Sequence, residues 1–201
     1  MPPSLDSSDD SADDREHPET GRAWRRSAGI FVLAELGGEA GERIAEIQRR
    51  YDPKLAAQSS PHVTLVGSSG AGPIAPSTTT VELAAHLEPI TAAIPPLTLE
   101  LGPAMRFMQT EIVVLPLSPY GPLRALHERI LTSGLHFERP RFAFSPHATL
   151  SFYPTLSPAT RRELLAIRVR EPARVDRLSC YLTNDPQPRL KLLELPLGGA
   201  A

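Results

Sequence analysis

Cysteine is almost missing from this chain. The single residue, Cys180, excludes an intramolecular disulfide and any metal site built from several thiolates. Such usage fits a reducing compartment. No apolar run approaches the length of a membrane span, and the N-terminal stretch lacks the apolar segment of a secretory signal. A basic excess is missing too. Lys and Arg number 21 against 23 Asp and Glu, a formal net charge of −2. That is not the balance of a protein that grips duplex DNA. The expectation is a soluble, cytoplasmic chain that binds neither DNA nor membrane. A small anionic substrate, or the end of an RNA strand, remains compatible.

Large apolar groups are scarce at the start. Residues 1–26 hold seven acids and four arginines among serines. Such a segment cannot bury enough apolar surface to offset the entropy of ordering it. It reads as a disordered acidic tail, followed by one domain over residues 27–201.

Elsewhere apolar residues follow clear periods. Gly29 to Leu36 reads as a strand. Ile44, Ile47 and Tyr51 then recur at helical spacing, and Pro53 closes that helix. The stretch from His62 to Val66 is a strand, and Gly67 to Ser77 a Gly/Ser/Pro loop. Thr80 caps a helix carrying Leu83, Leu87, Ile90 and Ile94 on one face, which Pro95-Pro96 stop. Leu97 to Leu101 alternates as a strand, with Arg106 to Met108 continuing it and Gln109-Thr110 turning into a strand from Glu111 to Leu117. A helix with Leu123, Leu126, Ile130 and Leu131 follows. After a second short strand at His147 come a helix over Pro158 to Ile167 capped by Ser157, a strand from Val175 to Thr183 and a strand from Leu190 to Leu197. Each half thus reads strand, helix, strand, helix, strand, which is an internal duplication.

The same five-residue motif, Pro-His-x-Thr-Leu, stands at the same place in each half. It is Pro61-His62-Val63-Thr64-Leu65 and, 85 residues on, Pro146-His147-Ala148-Thr149-Leu150. Successive strand side chains point to opposite faces. His62 and Thr64 therefore share a face, as do His147 and Thr149, while Val63, Leu65, Ala148 and Leu150 face the core. Two related lobes would bring these polar faces to one cleft.

Two imidazoles in one cleft suit a reaction that needs a general base and a general acid together, because histidine titrates near neutral pH. Two threonine hydroxyls would donate to an oxyanion between the rings. A phosphodiester fits that description, and no metal or cofactor is required. Phe152 or Tyr153 would stack on a base or sit as an ordinary core aromatic. Gly67 to Gly72 reads as a loop at the cleft edge; no Gly-Lys-Ser/Thr follows, so it is not a nucleotide P-loop. Arg106 reads as solvated, Cys180 as a small buried hydrophobe, and His86, His127 and His136 as surface or boundary residues without a role.

Both motifs resemble those of the 2H phosphoesterase superfamily, and within it the bacterial 2′-5′ RNA ligase and RNA 2′,3′-cyclic phosphodiesterase branch. The resemblance runs over about residues 28–197. It implies an α+β, duplicated bilobal fold, with two antiparallel-sheet lobes and outer helices around a central cleft. It also implies metal-independent chemistry on a 2′,3′-cyclic phosphate or a related cyclic phosphodiester. The expected reaction is hydrolysis of that phosphate on an RNA 3′ end or a small nucleotide, and a monomer is expected. His62 would be the proton donor and His147 the acceptor, with Thr64 and Thr149 on the phosphate. The branch often has an aromatic residue five positions after the first His and a basic one five after the second; here these are Gly67 and Phe152. A non-catalytic RNA-end or nucleotide-binding module, or ligase-type joining in the reverse direction, are the alternatives. Deleting residues 1–25 should leave thermal stability and turnover nearly unchanged, since that stretch has no apolar face to dock. A large drop in either, by thermal melting or assay, contradicts the tail reading.

Overall fold

Within Gly29–Glu35, Ile30, Val32 and Ala34 are fully buried while Phe31 and Glu35 are half-buried, with Leu33 between them also covered. The alternation puts one face of the strand wholly in the core. The computed structural model describes residues 29–67, 69–108, 110–153, 156–183 and 190–198. The acidic tail lies outside the described residues. In chain order the elements are β1 (Gly29–Glu35), α1 (Gly38–Tyr51), α2 (Pro53–Gln58), β2 (His62–Val66), α3 (Thr80–Ala92), β3 (Leu97–Leu99), β4 (Met105–Arg106), β5 (Val113–Pro116), α4 (Pro122–Leu131), β6 (His147–Ser151), α5 (Pro158–Ala166), β7 (Ala173–Val175), β8 (Arg177–Thr183) and β9 (Leu190–Pro196). Among the described residues no helix is long and apolar enough to cross a membrane.

Seven strands form one antiparallel sheet in the order β4-β5-β6-β2-β1-β8-β9, and β3 pairs with β7 in a separate ribbon. The order is symmetric about the β6–β2 seam: β5 answers β1, β4 answers β8, and β9 is extra. Even the irregularities repeat. The β1–β2 ladder slips between Val32 and Leu33, and the β5–β6 ladder between Val113 and Val114. The two lobes therefore share one sheet, because the two motif strands are direct neighbours.

Local chemistry moves several boundaries. Pro53 does not simply end a helix. Asp52 interrupts the chain after α1, and its Oδ1 accepts the Leu55 N–H at 3.0 Å, so Pro53 starts α2. Proline suits that first position, where its missing N–H would have no partner. The cap of α3 is Thr79, one residue before Thr80. Thr79 and Glu82 form a reciprocal capping box, with the Thr79 N–H on Glu82 Oε2 at 2.8 Å. The strand expected over Val175 to Thr183 breaks at Asp176, because β7 belongs to the ribbon and β8 to the main sheet. On α4, Leu131 faces outward and His127 takes the buried place.

That last change exposes a second mark of duplication. Ile44, Ile47, Gln48 and Tyr51 on α1 match Leu123, Leu126, His127 and Ile130 on α4, each pair 79 residues apart, and all eight are buried. The polar member of each set reaches into the other half. Gln48 Nε2 donates to the Thr149 carbonyl on β6 at 2.7 Å, and His127 Nδ1 donates to the Leu65 carbonyl on β2 at 2.8 Å. Each helix thus holds the opposite motif strand. His127 also stacks on Phe144, centroids 4.0 Å apart. Its ring lies so close to Gly70 that a Cβ there would stand 2.6 Å away.

Burial lowers the proton affinity of His127, and the Leu65 carbonyl only partly offsets this. The unfolded chain therefore binds that proton more readily. Stability from neutral His127 is present above the ordinary value of about 6.5 and fades as pH falls through the lowered folded value. His127→Gln copies the amide of its counterpart, so it should keep the Leu65 bond and reduce this acid sensitivity. His127→Leu should cost about 1–3 kcal/mol by stranding a buried carbonyl. Denaturant unfolding at about pH 7.5 and about pH 5 checks both. Equal acid sensitivity in wild type and the Gln variant contradicts the assignment.

Candidate active site

β2 and β6 have the same burial pattern: His and Thr half-buried, their neighbours fully buried. They pair antiparallel with Val63 opposite Ala148. That register sets His62 across from Thr149 and Thr64 across from His147. Each histidine faces the other motif's threonine, and the imidazoles sit on a diagonal. Diagonal neighbours on a sheet stand roughly 7–8 Å apart, a gap that a tetrahedral phosphate can bridge.

The proline of each motif is also explained. Pro has no N–H to continue a ladder, so pairing stops where it stands. Its carbonyl still accepts: Leu36 N–H donates to Pro61 O at 2.9 Å and Leu117 N–H to Pro146 O at 3.0 Å. These equivalent bonds tie the entry of each motif strand to the end of its neighbour.

Both rings are oriented alike. His62 Nδ1 lies 2.7 Å from the Ser60 carbonyl and 2.9 Å from Ser59 Oγ. His147 Nδ1 lies 2.7 Å from the Ser145 carbonyl. A carbonyl only accepts, so Nδ1 carries the proton in both rings and Nε2 becomes the nitrogen that exchanges one. Phe107, just after β4, packs on His147 with ring centroids 4.3 Å apart. Burial pushes the proton affinity of His147 below the ordinary imidazole value, with the Ser145 carbonyl pulling weakly the other way.

A buried carboxylate fixes the exit from β6. Asp52 Oδ2 accepts the Phe152 N–H at 2.7 Å, the Tyr153 N–H at 3.0 Å and the Ser151 hydroxyl at 3.4 Å. Tyr153 is committed to α2: its hydroxyl donates to Gln58 Oε1 at 2.7 Å, and Lys54 Nζ lies 4.0 Å over its ring. Phe152 meets Tyr153 edge-on at 5.3 Å and remains 36% exposed. Gly67 leaves room for a different aromatic, since a Cβ there would stand 2.8 Å from the Phe31 ring and from the Thr64 methyl.

The other candidates go elsewhere. Arg106 pairs with Glu111 at 2.8 Å and with the Thr110 carbonyl at 3.0 Å. His86 Nδ1 joins α3 to the end of α4 through the Ser133 carbonyl at 2.7 Å. Gly67 to Gly72 is fastened to the chain before β6 by Gly70 N–H to Phe142 O at 2.8 Å. Cys180 is fully buried, and burial pushes its thiol up to about 12. Phe107, Asp52 and Gln48 escaped the sequence reading. Only Gln48 left a trace there, as the helical position that matches His127.

The chain matches the 2′-5′ RNA ligase superfamily over residues 37–186, which takes in both motifs. Among solved structures, E. coli LigT complexed with phosphate is 18% identical, with a TM-score of 0.52, over 85% of this chain and 97% of that one. E. coli LigT in apo form is 21% identical, with a TM-score of 0.51 and the same coverage. A phosphoesterase is 21% identical, with a TM-score of 0.51, over 85% of this chain and 98% of its own. No curated protein matches. At such identities the solved structures speak for the fold, here the α+β architecture of a 2H phosphoesterase. The family match speaks for the sequence. Because it spans about three quarters of the chain and both Pro-His-x-Thr-Leu strands lie inside it, this chain belongs to the 2′-5′ RNA ligase superfamily, among the 2H phosphoesterases.

Proposed function

We propose that the chain is a cyclic phosphodiesterase that opens a 2′,3′-cyclic phosphate, on an RNA 3′ end or a small nucleotide, by adding water at phosphorus. The observation that carries this reading is the register of β2 on β6, which makes one diagonal pair of imidazoles flanked by two hydroxyls. His147, the ring whose burial favours the neutral form, takes a proton from water at Nε2. The water oxygen bonds to phosphorus, and one ring P–O bond breaks. Nε2 of His62 gives its proton to the departing ribose oxygen, leaving a phosphomonoester beside a free hydroxyl. Thr64 and Thr149 donate to the non-bridging oxygens. The scheme uses side chains alone, and a monomer carries both motifs. An alcohol in place of water would run the joining reaction that gives the superfamily its name. E. coli LigT is complexed with phosphate in one structure and with NADP+ in another, of TM-score 0.51; both ligands carry phosphoryl groups, which supports a cleft that takes phosphate.

His62→Ala or His147→Ala should each lower kcat by about 10²–10⁴, the usual worth of one acid or base. Activity as kcat/KM should follow a bell in pH. Its ascending limb reports loss of the proton from His147 and lies below about 6.5, because burial disfavours the charge. Hydrolysis of 2′,3′-cyclic AMP across pH checks this. A flat profile, or tight binding without turnover, contradicts the two-histidine mechanism and favours a binding module.

A further inference from the structure

Duplication gives this site two histidines that share a serine carbonyl on Nδ1, a preceding proline and a facing threonine, with Ser59 Oγ as a further contact of His62. Acid–base catalysis nonetheless needs one ring charged and the other neutral. The difference must come from positions where the halves diverge. Across β1 the residue directly opposite His62 is Glu35; across β5 the residue opposite His147 is Pro116. One strand further out, Ser179 on β8 corresponds to Met105 on β4, each the partner of the residue that faces the motif threonine. Tyr181, opposite Phe31, corresponds to Phe107, whose N–H bonds Ile112 O at 2.8 Å. Among the described residues β9 stands on the first side only, and it adds Lys191. The wall beside His62 is polar and that beside His147 is apolar.

On the polar wall three donors converge on one oxygen. Glu35 Oε1 accepts from Ser179 Oγ at 2.7 Å, Tyr181 OH at 3.2 Å and Lys191 Nζ at 3.2 Å. Lys191 is shared with Glu194 at 2.7 Å, Glu194 with Arg177 at 3.2 Å, and Arg177 with Asp176 at 2.9 Å. Three carboxylates thus stand against two cations. From β6, His62 faces Thr149 and, diagonally, His147. Where β6 ends, Asp52 is closed in by the donors of Leu55, Ser151, Phe152 and Tyr153, with Lys54 over the Tyr153 ring.

We propose that Glu35 is the positioning residue that assigns the acid role to His62: its carboxylate on the adjoining strand favours the imidazolium there, while Pro116 and Phe107 leave His147 neutral. Residues directly opposed on a sheet have Cβ atoms roughly 4.5–5.5 Å apart, within the range where a carboxylate acts on a neighbouring charge. The terms acid and base rest on the functional reading above; the charge asymmetry does not. Lys191 opposes Glu35, so the two residues act on His62 with opposite signs.

The test is an NMR titration of the imidazole signals in the full-length protein, which needs no turnover. Glu35→Gln keeps an acceptor for Ser179 and Tyr181 but removes the charge. It should lower the His62 midpoint by about half to one pH unit and leave that of His147 in place. Lys191→Met removes the opposing cation and should raise the His62 midpoint. The descending limb of kcat/KM should move with it in each case. A network that only fastens β1 to β8 and β9 gives no midpoint change, or the same direction in both variants, and either result overturns the proposal. Should Glu35→Gln fail to fold, the upward shift in Lys191→Met still decides. Absence of cyclic phosphate hydrolysis in the wild type would sink the functional reading while the titration still answered for Glu35.

Discussion

Pairing of β2 with β6 is the contact on which the rest of the molecule depends. Without it the halves would be two small sheets, each with one histidine and one threonine on its polar face. With Val63 against Ala148, the strands become the centre of a seven-stranded sheet and the four side chains become one quartet. A slip of one residue would turn either set into the core, since side chains alternate at every position. The apolar partners Val63, Leu65, Ala148 and Leu150, all fully buried, set a large energetic cost against that slip.

The remaining structure secures this seam from outside. Gln48 and His127 cross from one half to hold carbonyls on the motif strand of the other. Asp52 gathers the backbone where β6 ends. The proline carbonyls fasten the entries of both strands. Because buried polar groups are costly when unpaired, these bonds act as keys that accept one arrangement of strands and helices. The scaffold they produce is close to symmetric, whereas the walls of the cleft are not. The symmetry supplies two rings of matching geometry; the unequal walls give the rings unequal surroundings.

Features that depend on neighbours in sequence are legible in the sequence itself. The alternation in the motif strands, the helical stripe of α1 and the repeat of the two halves are local patterns, and Ser157 caps α5 as its sequence predicts. The α+β sheet fold and the superfamily are what the resemblance carried by the repeated motif implies, and the family match and the solved structures bear both out. What escaped depends on contacts between distant segments. His127 reads as a boundary residue because nothing nearby shows that its ring meets the Leu65 carbonyl and Phe144. Phe107 reads as an ordinary strand residue because its contact with His147 passes through two strand pairings. The break at Asp176 leaves only a small mark, since the apolar positions change phase from Ala173 and Val175 to Leu178 and Cys180 across Asp176-Arg177, and nothing local says that the chain changes sheets there. Tyr153 shows the reverse case: an aromatic beside the motif suggests stacking, yet Gln58 and Lys54 occupy it.

The central claim is that the two motif strands form one site for one phosphorus. Orthovanadate, which takes the five-coordinate geometry of phosphoryl transfer, tests this most directly in a crystal of the full-length protein. The account predicts one vanadium between His62 and His147, with an Nε2 of each ring within hydrogen-bond distance of opposite apical oxygens and the hydroxyls of Thr64 and Thr149 on equatorial ones. Vanadate bound away from the β2–β6 seam, or held by one histidine with the other ring out of reach, would contradict it.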